Sequence, residues 1–421
     1  MSKPLGHKFT VLKQLLDLIP AYLVSTLARE YGVDKVSRKI TPWSHVVALL
    51  YTQLSHALSL NDVCDALRYH GSALATLRGA VPPSRNGLSH ANRSRNAGMA
   101  EALFWKVLDY LRSIRPGFGT ARAYCAFPRR FKRIINAKSF RVADSTTIKL
   151  VADCLDWAKH RRRKAAAKCH MLLDLQTFLP RFAVVKSAAS SDPKVAPQLC
   201  AGLRSGEIVV FDKAYVDFAH LWELHERGIF WVTRAKNNMS SRVLKQLPNG
   251  GRILKDSLVR LTVVKTRGQY HDRPLRKIDA VVTVDGKDVE MTFLTNNTEW
   301  AAASICDIYK SRWGIEVFFK ELKQTLQLAD FLGHNENAVR WQVWTALLAY
   351  ILLRFLAHLS GWQGSFSRLF TTVRGVLWSR YDLDKLLTFC GTAPDPPPMR
   401  ASPEQLYLPG FMRYAMGQQM V

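Results

Sequence analysis

From residue 9 to residue 115 the apolar positions recur every three or four residues, the period of helices packed on one side. Within residues 43–58, Val46, Val47, Leu50 and Leu54 fall on a single face. Ser59, followed three residues later by Asp62, reads as a capping box that opens the next helix. Pro82 and Pro83 break the run. Ser89 then reads as the cap of a third long helix, with His90, Arg93 and Arg95 in its first turns and Leu103, Phe104, Val107, Leu108 and Leu111 on its later apolar face. From residue 139 the period changes. Residues 140–143 alternate like a strand that ends on Asp144, and residues 170–175 and 181–185 predict two more strands joined by a turn near Thr177 and Pro180. The wholly apolar run 208–211 is a short buried strand that ends on Asp212. A helix over 218–227 and a strand over 229–233 follow. Three strands, a helix, a strand, a helix and a strand predict an α/β layer.

Residues 237–297 return to β-type alternation at 258–264, 278–284 and 289–294 and read as a β-rich insertion. Helices resume near residue 300 and continue to about 390. The apolar centre of residues 339–359 is too short to cross a bilayer and is flanked by Arg340, Gln342, Arg354 and His358, so a buried helix is expected there. The pattern divides the chain into a helical region 1–115, a basic linker 116–138 with Arg129, Arg130, Lys132 and Arg133, an α/β region 139–390 and a proline-rich tail 391–421. There is no internal repeat.

Charge changes the picture. The 421 residues carry 60 Lys and Arg against 33 Asp and Glu, a formal net charge of +27. With 48% apolar residues the chain has a folded body, so its basic excess calls for a polyanion such as nucleic acid. Seven cysteines without a C-x-x-C pair argue against a disulfide framework or a zinc site and fit a reducing cytoplasm. The first residues lack the apolar core of a signal peptide. No Walker phosphate loop, G-x-G-x-x-G, H-E-x-x-H or G-x-S-x-G is present, which removes the sequence support for nucleotide hydrolysis, zinc proteolysis and an esterase triad.

Asp144 and Asp212 each follow an apolar strand, where open α/β sheets expose functional groups. Either alone is commonly a turn or capping residue. Two on adjacent strands form a pair that needs a proton or a divalent metal to coexist. A third element carries Tyr309, Arg312, Glu316 and Lys323, which at about 100° per residue fall within roughly 60° of one another around a helix axis. The plainer interpretation of Arg312 and Glu316 is an exposed i,i+4 ion pair. Arg93 and Arg95 at a helix start would suit a DNA phosphate, or would form a solvated basic end. The basic run 159–164 is a solvated face or a phosphate track, and Asp153, Asp156, Asp174 and Asp192 are alternative carboxylates for the site.

Taken together, Asp144 after a strand, Asp212 within Phe211-Asp212-Lys213-Ala214-Tyr215, and Tyr309-x2-Arg312-x3-Glu316-x6-Lys323 resemble the DDE triad and the Tyr-Arg-Glu-Lys signature of the insertion-sequence-four family of transposases. The segments 170–174 and 343–350 and the N-terminal run 53–95 resemble one branch of that family, and the likeness covers most of residues 1–360. The resemblance implies a ribonuclease-H-like catalytic core with the β-rich insertion before the glutamate helix, and an N-terminal helical DNA-binding domain. It implies two Mg2+ ions, with Mn2+ as an alternative, held by Asp144, Asp212 and Glu316. One ion activates water or a 3′-hydroxyl and the other stabilises the leaving oxygen. Tyr309, Arg312 and Lys323 would grip phosphate beside the cut, around a flipped base. Some members stack that base on a Trp in the insertion, and residues 237–297 here contain none. The implied partners are double-stranded DNA at the element ends and in the target, with a homodimer in the DNA complex, no membrane, and a bacterial cytoplasm with nucleoid association. A metal-dependent nuclease that hydrolyses without joining and a non-catalytic DNA-binding repressor are the rival readings.

Overall fold

A computed structural model describes residues 6–36, 39–119, 140–150, 159–161, 164–187, 192–236, 239–262, 273–284, 286–326, 333 and 335–389. Most of the basic linker, the C-terminal tail, Asp153 and Asp156 lie outside the described residues.

The N-terminal region is helical, as its period predicts: α1 (Val11–Leu16), α2 (Ala21–Glu30), α3 (Pro42–Ser55), α4 (Leu60–Tyr69), α5 (Gly71–Ala75), α6 (Arg85–Ser94) and α7 (Gly98–Ile114). Ser59 and Asp62 form the expected capping box on α4. The expected third long helix is instead two helices. Ser84 caps α6 through a bond from the Gly87 N–H, and Arg95 takes an extended conformation that separates α6 from α7. Ser89 therefore lies inside α6, and Arg93 and Arg95 stand at a helix C-terminus, where the dipole is negative and no free N–H groups wait for a phosphate.

The sheet holds ten strands among the described residues: β1 (Phe140–Leu150), β2 (Lys159–Arg161), β3 (Lys164–Asp174), β4 (Leu179–Ser187), β5 (Ile208–Phe211), β6 (Phe230–Arg234), β7 (Ser241–Gln246), β8 (Ile253–Leu261), β9 (Leu275–Val284) and β10 (Lys287–Thr295). Their order is β2-β3-β1-β5-β6-β10-β9-β8-β7, with β4 also on β3. β1 and β3 are antiparallel, and β1, β5 and β6 are parallel. The insertion does not form a body of its own, because β10 pairs antiparallel with β6 and extends the same sheet. Between strands lie α8 (Asp192–Cys200), a 3-10 turn (Lys213–Tyr215) and α9 (Phe218–Glu226). After the sheet come α10 (Ala302–Ser311), α11 (Trp313–Thr325), α12 (Glu336–Leu359), α13 (Phe366–Gly375) and α14 (Leu383–Phe389).

α12 is the expected buried helix. It is long and apolar enough to span a membrane, but 89% of its apolar window is buried inside the protein. It binds the helical region to the sheet. The Trp341 indole N–H donates to the Arg95 carbonyl at 2.8 Å, and Asn337 accepts from the Ala97 N–H at 3.0 Å. On its other side Tyr350 donates to the Phe178 carbonyl at 3.1 Å. Val11, Phe104, Trp344, Phe318 and Val210 accordingly belong to one continuous apolar core.

Candidate active site

The sheet brings the two aspartates together by its parallel pairing. β5 is apolar and buried at every position, which is why it runs through the centre, and it ends where Asp212 begins the 3-10 turn. Asp144 is not at a strand end as expected. It lies inside β1, which continues to Leu150 paired with β3. The pairing of β1 with β5 stops at Ala143 and Phe211, so Asp144 nevertheless sits where the parallel part of the sheet finishes.

The third carboxylate arrives on α11. The expected single helix is two, meeting at Arg312, where i→i+3 backbone bonds from Arg312 to Tyr309 and from Ile315 to Arg312 tighten the chain. The shared face survives the joint. Ile315, Phe318, Leu322 and Leu326 form the buried side of α11 and its end. Gly314 permits the approach to the sheet: a Cβ there would stand 2.8 Å from Leu175 Cδ2 and 3.4 Å from Phe178 Cζ.

Arg312 is the hub of the site. It donates to Asp144 Oδ2 at 2.6 Å and to Glu316 Oε1 at 2.7 Å, and only 8% of the residue is exposed. This is not the exposed ion pair that spacing alone suggested. Burial opposes the charge on Arg312, and Asp144, Tyr309, Glu316 and Asp212 outweigh it, so its pKa is raised. Burial also pushes the Asp144 carboxyl up to about 6. Arg312 and the Ser145 N–H, which donates to Oδ1 at 2.7 Å, work against that rise, while Asp212 and Glu316 add to it. The Tyr309 hydroxyl donates to Asp212 Oδ1 at 3.4 Å, and burial pushes its own pKa up to about 12.

Asp144, Asp212, Arg312, Glu316 and Lys323 line one cavity of about 490 Å3, with Ser145, Phe319 and Lys320 completing its wall. Sequence reasoning missed Ser145 and Lys320. Lys320, four residues after Glu316, was available from helical spacing. Arg93 and Arg95 are elsewhere. Arg95 is buried and donates to the Ile40 and Thr41 carbonyls, and Arg93 is exposed at the end of α6. Of the alternative carboxylates, Asp174 is enclosed by Arg141 and Arg181 and caps the Gln176 N–H, a structural task, while Asp192 accepts from Lys168 at 2.9 Å.

Among the described residues no three His, Cys, Asp or Glu side chains converge tightly enough to hold an ion as they stand. The Arg312 guanidinium lies between two of the carboxylates, bridging Asp144 and Glu316. The donors themselves are hard carboxylate oxygens of the kind that suits Mg2+ or Mn2+, gathered around one cavity and compensated by a cation.

Residues 135–352, just over half of the chain, match the transposase DDE domain family. The chain belongs to the DDE transposases. Residues 7–77 match a domain of unknown function. The transposase is 33% identical over 273 residues to the putative transposase y4zB of Sinorhizobium fredii, covering 63% of this chain and 74% of that protein. It is 30% identical over 219 residues to the probable transposase for insertion sequence element IS5377 of Geobacillus stearothermophilus, covering 52% and 57%. With transposase InsG for insertion sequence element IS4 of Escherichia coli it shares 25% over 208 residues, 46% of this chain and 47% of that one. These relatives put the transposase in the insertion-sequence-four family. It spans about three quarters of the first relative and about half of the other two. A piggyBac transposase synaptic complex with hairpin DNA aligns at a TM-score of 0.44 and 11% identity, over 99% of this chain and 84% of that one.

Proposed function

We propose that this transposase cuts the ends of an insertion sequence and joins them to target DNA, with Asp144, Asp212 and Glu316 as its metal-holding triad on a ribonuclease-H-like core. The observation that carries this reading is the meeting of three carboxylates from three separate elements, β1, the turn after β5, and α11, in one cavity with Arg312 among them. Three antiparallel strands followed by two parallel ones, with the insertion preceding the glutamate helix, support the core assignment.

Two Mg2+ ions, or Mn2+ in their place, supply neutralisation of the attacking and leaving oxygens in in-line phosphodiester chemistry. The chain's own groups do the rest. Asp144, Asp212 and Glu316 offer the oxygen ligands. Arg312 presents at the cavity a fork of N–H donors that would hold a DNA phosphate, the anion that fork fits best. Lys323 and Lys320 add charge along the same wall, and Tyr309 holds Asp212 in place. The helices of residues 1–115 recognise the element ends, with the exposed Arg93 able to meet phosphate while Arg95 serves the fold. Lys35, Lys39 and His90 line a second basic cavity in that region. The protein acts on double-stranded DNA as a homodimer in the DNA complex, in the nucleoid of a bacterial cytoplasm.

A supercoiled plasmid carrying the inverted repeats that flank the coding region tests the reading. Joined products with Mg2+ are expected. Cut but unjoined DNA would favour a nuclease, and bound but intact DNA a repressor.

A further inference from the structure

The ladder between β1 and β5 pairs Phe140 with Ile208 and ends with Ala143 opposite Phe211. It stops one residue short of each aspartate, so it does not fix how far Asp144 stands from Asp212. A side-chain network begins at that point. Tyr215, three residues after Asp212, is 1% exposed, and its hydroxyl lies 2.9 Å from His170 Nδ1 on β3. His170 is the cross-strand partner of Ser145, the residue next to Asp144 on β1, and Ser145 donates to Asp192 Oδ1 at 3.4 Å. Asp192 is held in turn by Lys168.

The hydrogens of this network have one economical arrangement. Burial holds His170 neutral, pushing its pKa down to about 4, so it carries a single ring hydrogen. Its Nε2 is buried and has no hydrogen-bond partner among the described residues. A buried acceptor left alone is tolerated better than a buried N–H, which puts the hydrogen on Nδ1. Nδ1–H then donates to Tyr215, and Ser145 donates to Asp192. The Tyr215 hydroxyl is thereby held by the residue of β3 that faces the neighbour of Asp144 on β1.

We propose that Tyr215 is a positioning residue that sets the separation of Asp144 and Asp212, its hydroxyl tying the Asp212 turn to His170 of β3, directly opposite Ser145 of β1, beyond the end of the backbone pairing of β1 with β5. The role rests on the triad reading above. Without the tie the Asp212 turn is held to β1 only through the ladder that ends one residue earlier, and a shared cation site loses its preset spacing.

The test is Mn2+ titration calorimetry on the full chain without DNA, beside melting curves and the Mg2+ dependence of plasmid cleavage. Tyr215→Phe removes only the hydroxyl. It should lower Tm by less than about 4 °C, the effect of one lost hydrogen bond in a chain of this size. Mn2+ affinity should fall about tenfold, and the Mg2+ concentration for half-maximal cleavage should rise by the same factor. His170→Ala should match it. His170→Asn, which offers an amide N–H where Nδ1–H stood, should restore wild-type affinity. If Tyr215→Phe fails to fold, His170→Ala cuts the same tie from the β3 side and carries the test. Wild-type Mn2+ affinity in a folded Tyr215→Phe or His170→Ala protein overturns the positioning role, even if Tm falls. Asp212→Asn separates this failure from a larger one: it should lose Mn2+ binding, and retention of that binding would overturn the triad reading itself.

Discussion

Arg95 in the helical region and Arg312 beside the sheet are both nearly enclosed, 4% and 8% exposed, and both carry a charge that burial disfavours. Their partners differ in kind. Arg95 donates to the Ile40 and Thr41 carbonyls in the segment that leads into α3. Those acceptors are neutral backbone oxygens, fixtures of the fold. Arg312 donates to the carboxylates of Asp144 and Glu316, groups that any divalent cation also seeks. On the proposed triad, one guanidinium is committed and the other exchangeable. The residue type is the same, so function follows from what the charge is paired with and not from the charge alone.

The largest expected effects come from removing the exchangeable side of the comparison altogether. Asp144→Asn, Asp212→Asn and Glu316→Gln should each reduce Mg2+-dependent cleavage by on the order of a thousandfold or more, with element-end binding in a gel-shift assay retained. Cleavage that survives one of these changes excludes that residue from the triad. The two arginines themselves come next. Arg312→Ala should slow joining of pre-cut ends on the order of a hundredfold, since a phosphate is no longer held in register. Arg95→Ala should instead leave the Ile40 and Thr41 carbonyls unpaired, lowering stability by about 1 to 3 kcal/mol while the folded protein joins ends at near the normal rate. Paired measurement of Tm and joining rate checks both, and a matching pattern in the two variants would abolish the distinction.

A smaller effect is expected at Gly314. Gly314→Ala places a methyl against Leu175 and Phe178, side chains that yield by tenths of an ångström, so α11 should shift slightly and joining should fall severalfold with little change in fold. The smallest effect is one of pH. The folded pKa of Asp144, about 6, lies above its usual value near 4, so its contribution to stability is present at low pH and is lost as pH rises through about 6. The stability of the wild type relative to Asp144→Asn should therefore decline between about pH 4 and pH 6. A flat difference in melting temperature across that range would contradict the buried, carboxylate-crowded setting of Asp144.

The sequence exposed these features unevenly, for physical reasons. The apolar run 208–211, the capping box at Ser59 and Asp62, and the face shared by Arg312, Glu316 and Lys323 are local patterns, and each is found where its period predicts. The continuation of β1 past Asp144 has no such pattern. Ser145, Thr146 and Thr147 become strand because β3 pairs with them, a contact from distant sequence. The break between α6 and α7 falls at Arg95, without a proline, inside an unbroken helical period, which is why two helices read as one and Arg95 seemed to stand at a helix start. The joint at Arg312 is hidden in the same way. The attachment of the insertion to β6 is a matter of topology that no single segment encodes.

The central claim is that Arg312 occupies, in the free protein, the place that cations take among Asp144, Asp212 and Glu316. Mn2+ titration calorimetry of the DNA-free wild type and Arg312→Ala proteins tests it most directly. A competing guanidinium has been removed from the variant, so it should bind Mn2+ at least about tenfold more tightly, the equivalent of about 1.4 kcal/mol, although it joins DNA poorly. Equal or weaker Mn2+ binding by a folded Arg312→Ala protein would contradict the account.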